Sequence, residues 1–233
     1  MGETSVTWRS LLALFISLTV PMLLDRHPVA AQQPTLEQLK ARLEKQYAAI
    51  EDIFYNSPAK QSDPPDFRER LRLWQDKLAK SFADAGATID EILKLNPPEA
   101  EKWRERSDTM WLYSQPISPP SSRTVYGASE VQKKASLVDA PAAAYPDEAR
   151  AAKAKGEVRL RLVLASDGTV KYIFPMKPLQ HGLTEAAMEA ARKIKFEPAI
   201  RDGKPASQFA TLSYEFENGR GLPPYFPQHE FYF

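Results

Sequence analysis

The chain has 233 residues, enough for one or two domains, and its charge is nearly balanced, with 31 lysines and arginines against 30 aspartates and glutamates. This balance argues against a nucleic-acid-binding protein that works through a broad basic surface. The chain contains no cysteine, which excludes a disulfide framework, a thiol nucleophile and a cysteine-ligated metal site.

The N-terminus has the pattern of a secretory signal peptide. Arg9 precedes the apolar run Leu11–Leu24, and Val29-Ala30-Ala31 supplies the small residues of a cleavage site. As a helix, the 14 residues of the apolar run reach roughly 21 Å, less than the roughly 30 Å hydrocarbon core of a bilayer. We therefore predict a signal peptide at residues 1–31, cleaved after Ala31, and a soluble secreted mature protein. The alternative is that residues 6–24 remain as a membrane anchor.

Three amphipathic helices are predicted between residues 32 and 114. Apolar residues recur at steps of three and four from Thr35 to about Phe54, from about Asp66 to Leu95, and from Glu99 to about Tyr113. Thr35 is suited to cap the first helix, and proline-containing turns separate the three, which indicates a helical hairpin or small bundle. The helical spacing of the aromatic residues predicts that they pack in its core; these include Trp74, Phe82, Trp103 and Trp111.

A stretch rich in serine and proline follows, and we predict a linker at residues 115–140. The next strong signal is a β-hairpin. Apolar residues alternate with polar or charged ones from Gly156, Asp167-Gly168 supplies a turn, and a return strand runs over Thr169–Phe174. The alternation predicts a dry face that carries Val158, Leu160, Leu162 and Leu164 on one strand and Val170, Tyr172 and Phe174 on the other. The opposite face, with Glu157, Arg159 and Arg161, is predicted to be wet.

The dry face of this hairpin requires a cover. A short helix is predicted at residues 146–155 and an alanine-rich helix at Leu183–Lys195, and a third alternating strand runs over Phe209–Phe216. The sequence thus predicts an α+β fold in which a three-stranded antiparallel sheet carries two helices on one face, preceded by the helical segment. The aromatic tail, residues 218–233, is interpreted as a strand-like arm that folds back over apolar surface; the alternative is a docking segment for a partner.

Residues 141–217 resemble the TonB C-terminal domain family. The matching pieces occur in the family's order and spacing; they are Tyr145-Pro146, Ala149-Arg150, Gly156, Val158, Asp167-Gly168, Val170, Leu183 with the alanine helix, Phe196-Glu197-Pro198-Ala199, Asp202-Gly203-Lys204-Pro205 and the final strand to Phe216. The helical segment is not part of the resemblance.

The resemblance implies a periplasmic module of a Gram-negative envelope that contacts outer-membrane receptors. In that family an extended receptor peptide adds alongside the last strand. Carried over to this chain, the binding edge comprises Phe209, Ala210, Thr211, Leu212, Ser213, Tyr214, Glu215 and Phe216. The backbone groups of an edge strand can pair with a peptide of almost any sequence. Thr211, Ser213 and Glu215 are predicted on the wet face of this strand, and Ala210, Leu212, Tyr214 and Phe216 on its dry face.

Three function classes remain open at this point. The first is a periplasmic binding protein that captures an envelope protein, or a second copy of itself, by strand addition. The second is an anchored energy transducer, although the short apolar run and the short linker both depart from the family's transducing pattern. An enzyme is the third class; we predict none, and no cofactor or small-molecule substrate, because the chain lacks the common catalytic motifs and carries only His181 and His229 beyond residue 31.

Overall fold

The structure, a computed structural model, describes residues 33–57, 66–115 and 124–227. The predicted signal peptide, with its alternative as an anchor, lies outside the described residues. Among the helices of the described part, none combines the length and the hydropathy needed to cross a membrane. The helices and strands are α1 Leu36–Tyr55, α2 Phe67–Lys94, α3 Ala100–Ser114, β1 Val125–Tyr126, β2 Ser136–Asp139, α4 Asp147–Ala152, β3 Gly156–Leu164, β4 Val170–Lys177, α5 Leu183–Ala191, β5 Lys195–Glu197, β6 Ala199–Arg201, β7 Lys204–Glu217 and β8 Arg220–Gly221.

The three N-terminal helices form close to the predicted positions. Thr35 caps α1 through a capping box with Gln38, in which each side chain bonds the other residue's backbone. Helix α2 contacts both α1 and α3, and Trp74 of α2 donates its indole N–H to the Ile53 carbonyl at 2.7 Å. The prediction that the aromatic residues are buried holds for Trp74 and Phe82 but is wrong for Trp111, which is 64% exposed.

The three predicted strands are present as β3, β4 and β7, but they belong to a larger sheet. Its strand order is β1-β7-β3-β4, and β6 and β8 also pair with β7. Strand β3 is central and runs antiparallel to both β4 and β7. Strands β2 and β5 form a separate two-stranded sheet. Because β1 and β2 lie within residues 115–140, part of the predicted linker contributes to these sheets.

One face of the sheet is covered by α4 and α5, as the sequence predicts. The small side chains of α5 let its backbone approach the sheet closely, since Ala187 and Ala191 are fully buried. The four apolar residues of β3 and the four of β7 that alternate along these strands meet in this core; they are Val158, Leu160, Leu162, Leu164, Ala210, Leu212, Tyr214 and Phe216.

The other face of the sheet is also covered over much of its length, which corrects the prediction of a wet face, although Glu215 is exposed as predicted. Helices α1 and α3 contact β4, and residues from Thr35 onward form one compact unit. Arg161 is 5% exposed, and Thr211 and Ser213 are fully buried. Polar alternation on a strand marks the less apolar face, but hydrogen bonding allows such residues to be buried when another part of the chain packs over them.

A β-bulge in β4 changes which residues face the helices. Leu164 pairs with Val170 and Val163 with Lys171, whereas Arg161 pairs with Phe174, so β4 holds an extra residue between these pairs. Tyr172 adopts a positive φ of 52° within this irregularity. The extra residue reverses the alternation, and Phe174 therefore packs in the cluster with the N-terminal helices. The predicted grouping of Val170, Tyr172 and Phe174 on one face is wrong.

Candidate strand-binding edge

Strand β7 is the longest strand and carries the predicted binding residues. Its inner edge pairs continuously with β3, from Gln208 opposite Leu164 to Phe216 opposite Gly156. All eight predicted residues, Phe209 to Phe216, lie in this paired stretch. Its inner backbone groups are thus committed to the sheet, and any added strand must bind at the outer edge.

The outer edge of β7 already pairs with two other parts of the chain. Strand β1 pairs in parallel with Ser207 and Gln208. At the other end, the segment after the β7–β8 turn runs antiparallel. We call Asn218–Pro227 the C-terminal arm. Within it, Tyr225 forms an isolated bridge with Ser213, and Leu222 donates its N–H to the Glu215 carbonyl at 2.8 Å. This agrees with the interpretation of the tail as a strand-like arm; residues 228–233 lie outside the described part.

Between these two pairings, the outer edge has a gap at Thr211. Ser213 directs both its N–H and its carbonyl to Tyr225, at 3.0 and 3.1 Å. In an antiparallel ladder alternate residues point their backbone groups to the same side, so the N–H and carbonyl of Thr211 also face outward. Among the described residues, no strand pairs with Thr211 on this side.

A compact polar cluster lies beside the binding edge, on the sheet face that the helices cover. The Glu157 carboxylate accepts hydrogen bonds from Ser213 Oγ at 2.5 Å, from Arg159 Nη2 at 2.9 Å and from Lys177 Nζ at 3.1 Å. Burial raises the pKa of Glu157, but the hydrogen bonds from Ser213, Arg159 and Lys177 outweigh this effect and lower the pKa to about 2. The ionised carboxylate thus ties β7 to β3 and β4.

We expect this carboxylate to make folding stability depend on acid pH. The pKa of Glu157 is lowered to about 2, against about 4.3 in an unfolded chain. Its stabilising contribution is therefore complete above about pH 4.3 and is lost as the pH falls towards 2. Substitution Glu157→Gln should lower stability at pH 7 and flatten the decline between pH 5 and 2, measured by urea unfolding. Glu101→Gln, at a side chain that is 90% exposed, is the control; an equal flattening there would contradict the assignment.

Arg161 supports the edge at the gap itself. Its Nη1 donates to Thr211 Oγ1 at 3.2 Å, and its guanidinium lies 5.1 Å from the centre of the Phe209 ring. A buried cation needs such partners, because desolvation without them is costly. The hydroxyl of Thr211 is thus held from the β3 side, and the whole residue is buried.

The residues that the sequence analysis missed are those that share this edge, namely Val125, Tyr126, Leu222 and Tyr225. One signal for the arm was present in the sequence. Asn218-Gly219 both have positive φ, 49° and 74°, the conformation of the tight turn that joins two antiparallel strands. The parallel pairing of β1 has no comparable local signal.

Other kinds of site find less support in the described residues. No group of three or more histidine, aspartate or glutamate residues in this part of the chain could hold a metal ion. His181 forms a surface pair with Glu148, with Nδ1 3.1 Å from Oε1. The second histidine of the sequence analysis, His229, lies outside the described residues.

Comparison with known proteins agrees with this architecture. Residues 141–217 match the family described as Gram-negative bacterial TonB protein C-terminal, and the match covers α4 through β7. No curated protein matches the chain significantly. The domain is the one that the order of sequence motifs predicted, and its last strand is the one that carries the candidate edge. Residues 141–217 of this chain are a TonB C-terminal domain.

Proposed function

We propose that this chain is a periplasmic protein of TonB-type envelope transport that binds an extended segment of another envelope protein at the outer edge of β7. The match of residues 141–217 to the Gram-negative bacterial TonB protein C-terminal family supports this proposal. The proposed partner is an outer-membrane receptor or a related envelope protein, with a second copy of this chain as the alternative occupant. Neither nucleic acid nor a small-molecule substrate is proposed.

The observation that carries this proposal is the pairing of the outer edge. It accepts a parallel strand from β1 and an antiparallel segment from the arm, so its geometry is compatible with added strands of either direction. Between them, the N–H and carbonyl of Thr211 face outward. An edge strand can pair with an added peptide whatever the peptide's side chains are. Because Thr211 is itself fully buried, a peptide that pairs there must first displace the part of the chain that covers it.

The direct test is binding of labelled peptides to the protein. The probes are fluorescein-labelled peptides of about ten residues, long enough to span Phe209–Phe216, taken from periplasm-facing segments of outer-membrane receptors. Thr211→Pro removes the outward N–H, and we expect it to weaken binding about tenfold, as measured by fluorescence anisotropy. Thr211→Val is the matched control, since it removes only the hydroxyl that Arg161 contacts.

Peptide affinities are compared only between variants that keep the fold. Circular dichroism and thermal unfolding should show that both variants keep the sheet. Thr211→Val should then bind as the unmodified protein does. Equal affinity of Thr211→Pro and the unmodified protein would place binding elsewhere and overturn strand addition at β7.

The proposed location has its own test. Cleavage of the signal peptide predicts a mature N-terminus at Gln32 in the soluble periplasmic fraction, measured by N-terminal sequencing or mass spectrometry. Recovery of residues 6–24 in the inner-membrane fraction would favour the alternative, an anchored energy transducer.

A further inference from the structure

The C-terminal arm holds the same backbone groups that an added peptide would use. Ser213 donates its N–H to the Tyr225 carbonyl and accepts from the Tyr225 N–H. Both groups belong to the outer edge, directly beside the gap at Thr211. A peptide strand that pairs along Thr211 and Ser213 cannot bind while Tyr225 occupies Ser213. The arm and a peptide therefore exclude each other at this position.

Several contacts hold the arm in place. The Tyr225 hydroxyl donates to Glu215 Oε1 at 2.8 Å, and Arg150 Nη1 donates to the Gly219 carbonyl at 3.2 Å. Phe226 packs against the core that α4 and α5 cover. Gly221 fits closely against the Ala143 backbone, where an added Cβ would overlap the carbonyl oxygen.

The pairing of the arm is nevertheless incomplete. Pro223 and Pro224 stand between Leu222 and Tyr225 and have no N–H to donate, and Pro227 follows two residues later. Tyr225 is 42% exposed, and its bridge to Ser213 is isolated rather than part of a ladder. The tight Asn218-Gly219 turn keeps the released arm close to its site. These features are those of a segment that can leave β7 and return.

We propose that the C-terminal arm is an autoinhibitory strand that closes the outer edge of β7 until a partner peptide displaces it. This inference rests on the proposed function, because it concerns access to the same edge. Only molecules with a released arm bind the peptide, so the apparent affinity falls in proportion to the fraction that is open. Regulation then acts through any factor that shifts the arm between its two states.

An engineered disulfide that holds the arm on β7, called the lock below, tests the inference within a single protein because it can be formed and reduced. Ser213→Cys together with Tyr225→Cys places two thiols on a directly opposed antiparallel pair, whose Cα separation of about 5.5 Å suits a disulfide. The natural chain has no cysteine, so oxidation acts on this pair alone. We expect the oxidised form to bind the labelled receptor peptides at least about tenfold more weakly than the same protein after reduction.

A second variant opens the arm instead of locking it. Gly221→Ala introduces the overlap with Ala143 and should release the arm, which raises peptide affinity. Gly203→Ala is the control: it strains the turn between β6 and β7, where φ is 70°, but an added Cβ meets open space there, so peptide affinity should not rise. Hydrogen exchange at the Ser213 amide measures release without any peptide. Exchange should be faster in Gly221→Ala and slower in the oxidised lock.

The possible results separate the two proposals. Peptide binding that is equal in the oxidised, reduced and Gly221→Ala proteins would overturn autoinhibition and leave strand addition elsewhere on the edge standing. If no form binds any peptide, including the open one, the proposed function fails and the autoinhibitory role fails with it. Weaker binding on oxidation, reversed by reduction, supports both.

Discussion

Replacement of Phe174 by alanine should destabilise the protein by about 3–5 kcal/mol, the cost of removing a large aromatic side chain from a packed core. Phe174 extends from β4 into the cluster formed by the N-terminal helices and is 2% exposed. Its ring centre lies 5.0 Å from that of Phe82, with further aromatic contacts to Tyr47, Phe54 and Tyr113. The cavity would open where the helices meet the sheet.

Urea unfolding measures this effect with two probes. Tryptophan fluorescence reports on the helices, because Trp74, Trp103 and Trp111 all lie there, and far-ultraviolet circular dichroism reports on the whole fold. In the unmodified protein the two transitions should coincide, because helices and sheet share this cluster. Phe174→Leu keeps much of the volume and should cost less than about 1.5 kcal/mol. A loss below about 1 kcal/mol for Phe174→Ala would show that the helices do not depend on this contact.

A charge introduced on the helix-covered face of the sheet should lower the free energy of unfolding nearly as much as Phe174→Ala does. Val163 is 1% exposed and lies opposite Phe209 and Lys171 in the sheet. Val163→Asp would bury a carboxylate without a designed partner, and we expect a loss of roughly 3 kcal/mol or more at pH 7. Because burial raises the pKa of such a carboxyl, the loss should diminish at acid pH.

Val138 provides the matched control for this substitution. It is also a strand residue, in β2, but it is 68% exposed. Val138→Asp should change stability by no more than about 0.5 kcal/mol. If the two aspartate variants were equally stable, the face that carries Val163 would be open to water, as the alternation of β3 alone had suggested.

Much of the fold followed from local patterns. The spacing of apolar residues predicts the helices, and Thr35 caps α1 as its sequence context predicts. Alternation along β3 and β7 correctly predicted their shared dry face, because a strand that buries one face against α4 and α5 must place apolar residues at every second position. The order of short motifs was also enough to identify residues 141–217, which the family match confirms.

The helix-covered face could not be found in the same way. Its residues include Arg161, Thr211 and Ser213, which are buried only because hydrogen-bond partners lie across neighbouring strands. The bulge at Tyr172 likewise cannot be recognised in the alternation of β4. Its extra residue reverses the faces of the side chains that follow it, up to a second register shift between Pro175 and Lys177. Both features depend on contacts between distant parts of the chain.

The sequence by itself determined the helices, the three main strands β3, β4 and β7, the core beneath α4 and α5, and the family match of residues 141–217, because each follows from spacing within a short segment. The tertiary structure alone decided that the N-terminal helices cover the second face of the sheet. It also decided which backbone N–H and carbonyl groups of β7 already pair with other parts of the chain. Strand β7 was recognisable as the candidate edge, but only the folded chain shows that β1 and the C-terminal arm already pair with it and that the gap lies at Thr211. Backbone pairing is nearly independent of side-chain identity, so its partners cannot be predicted from residue types.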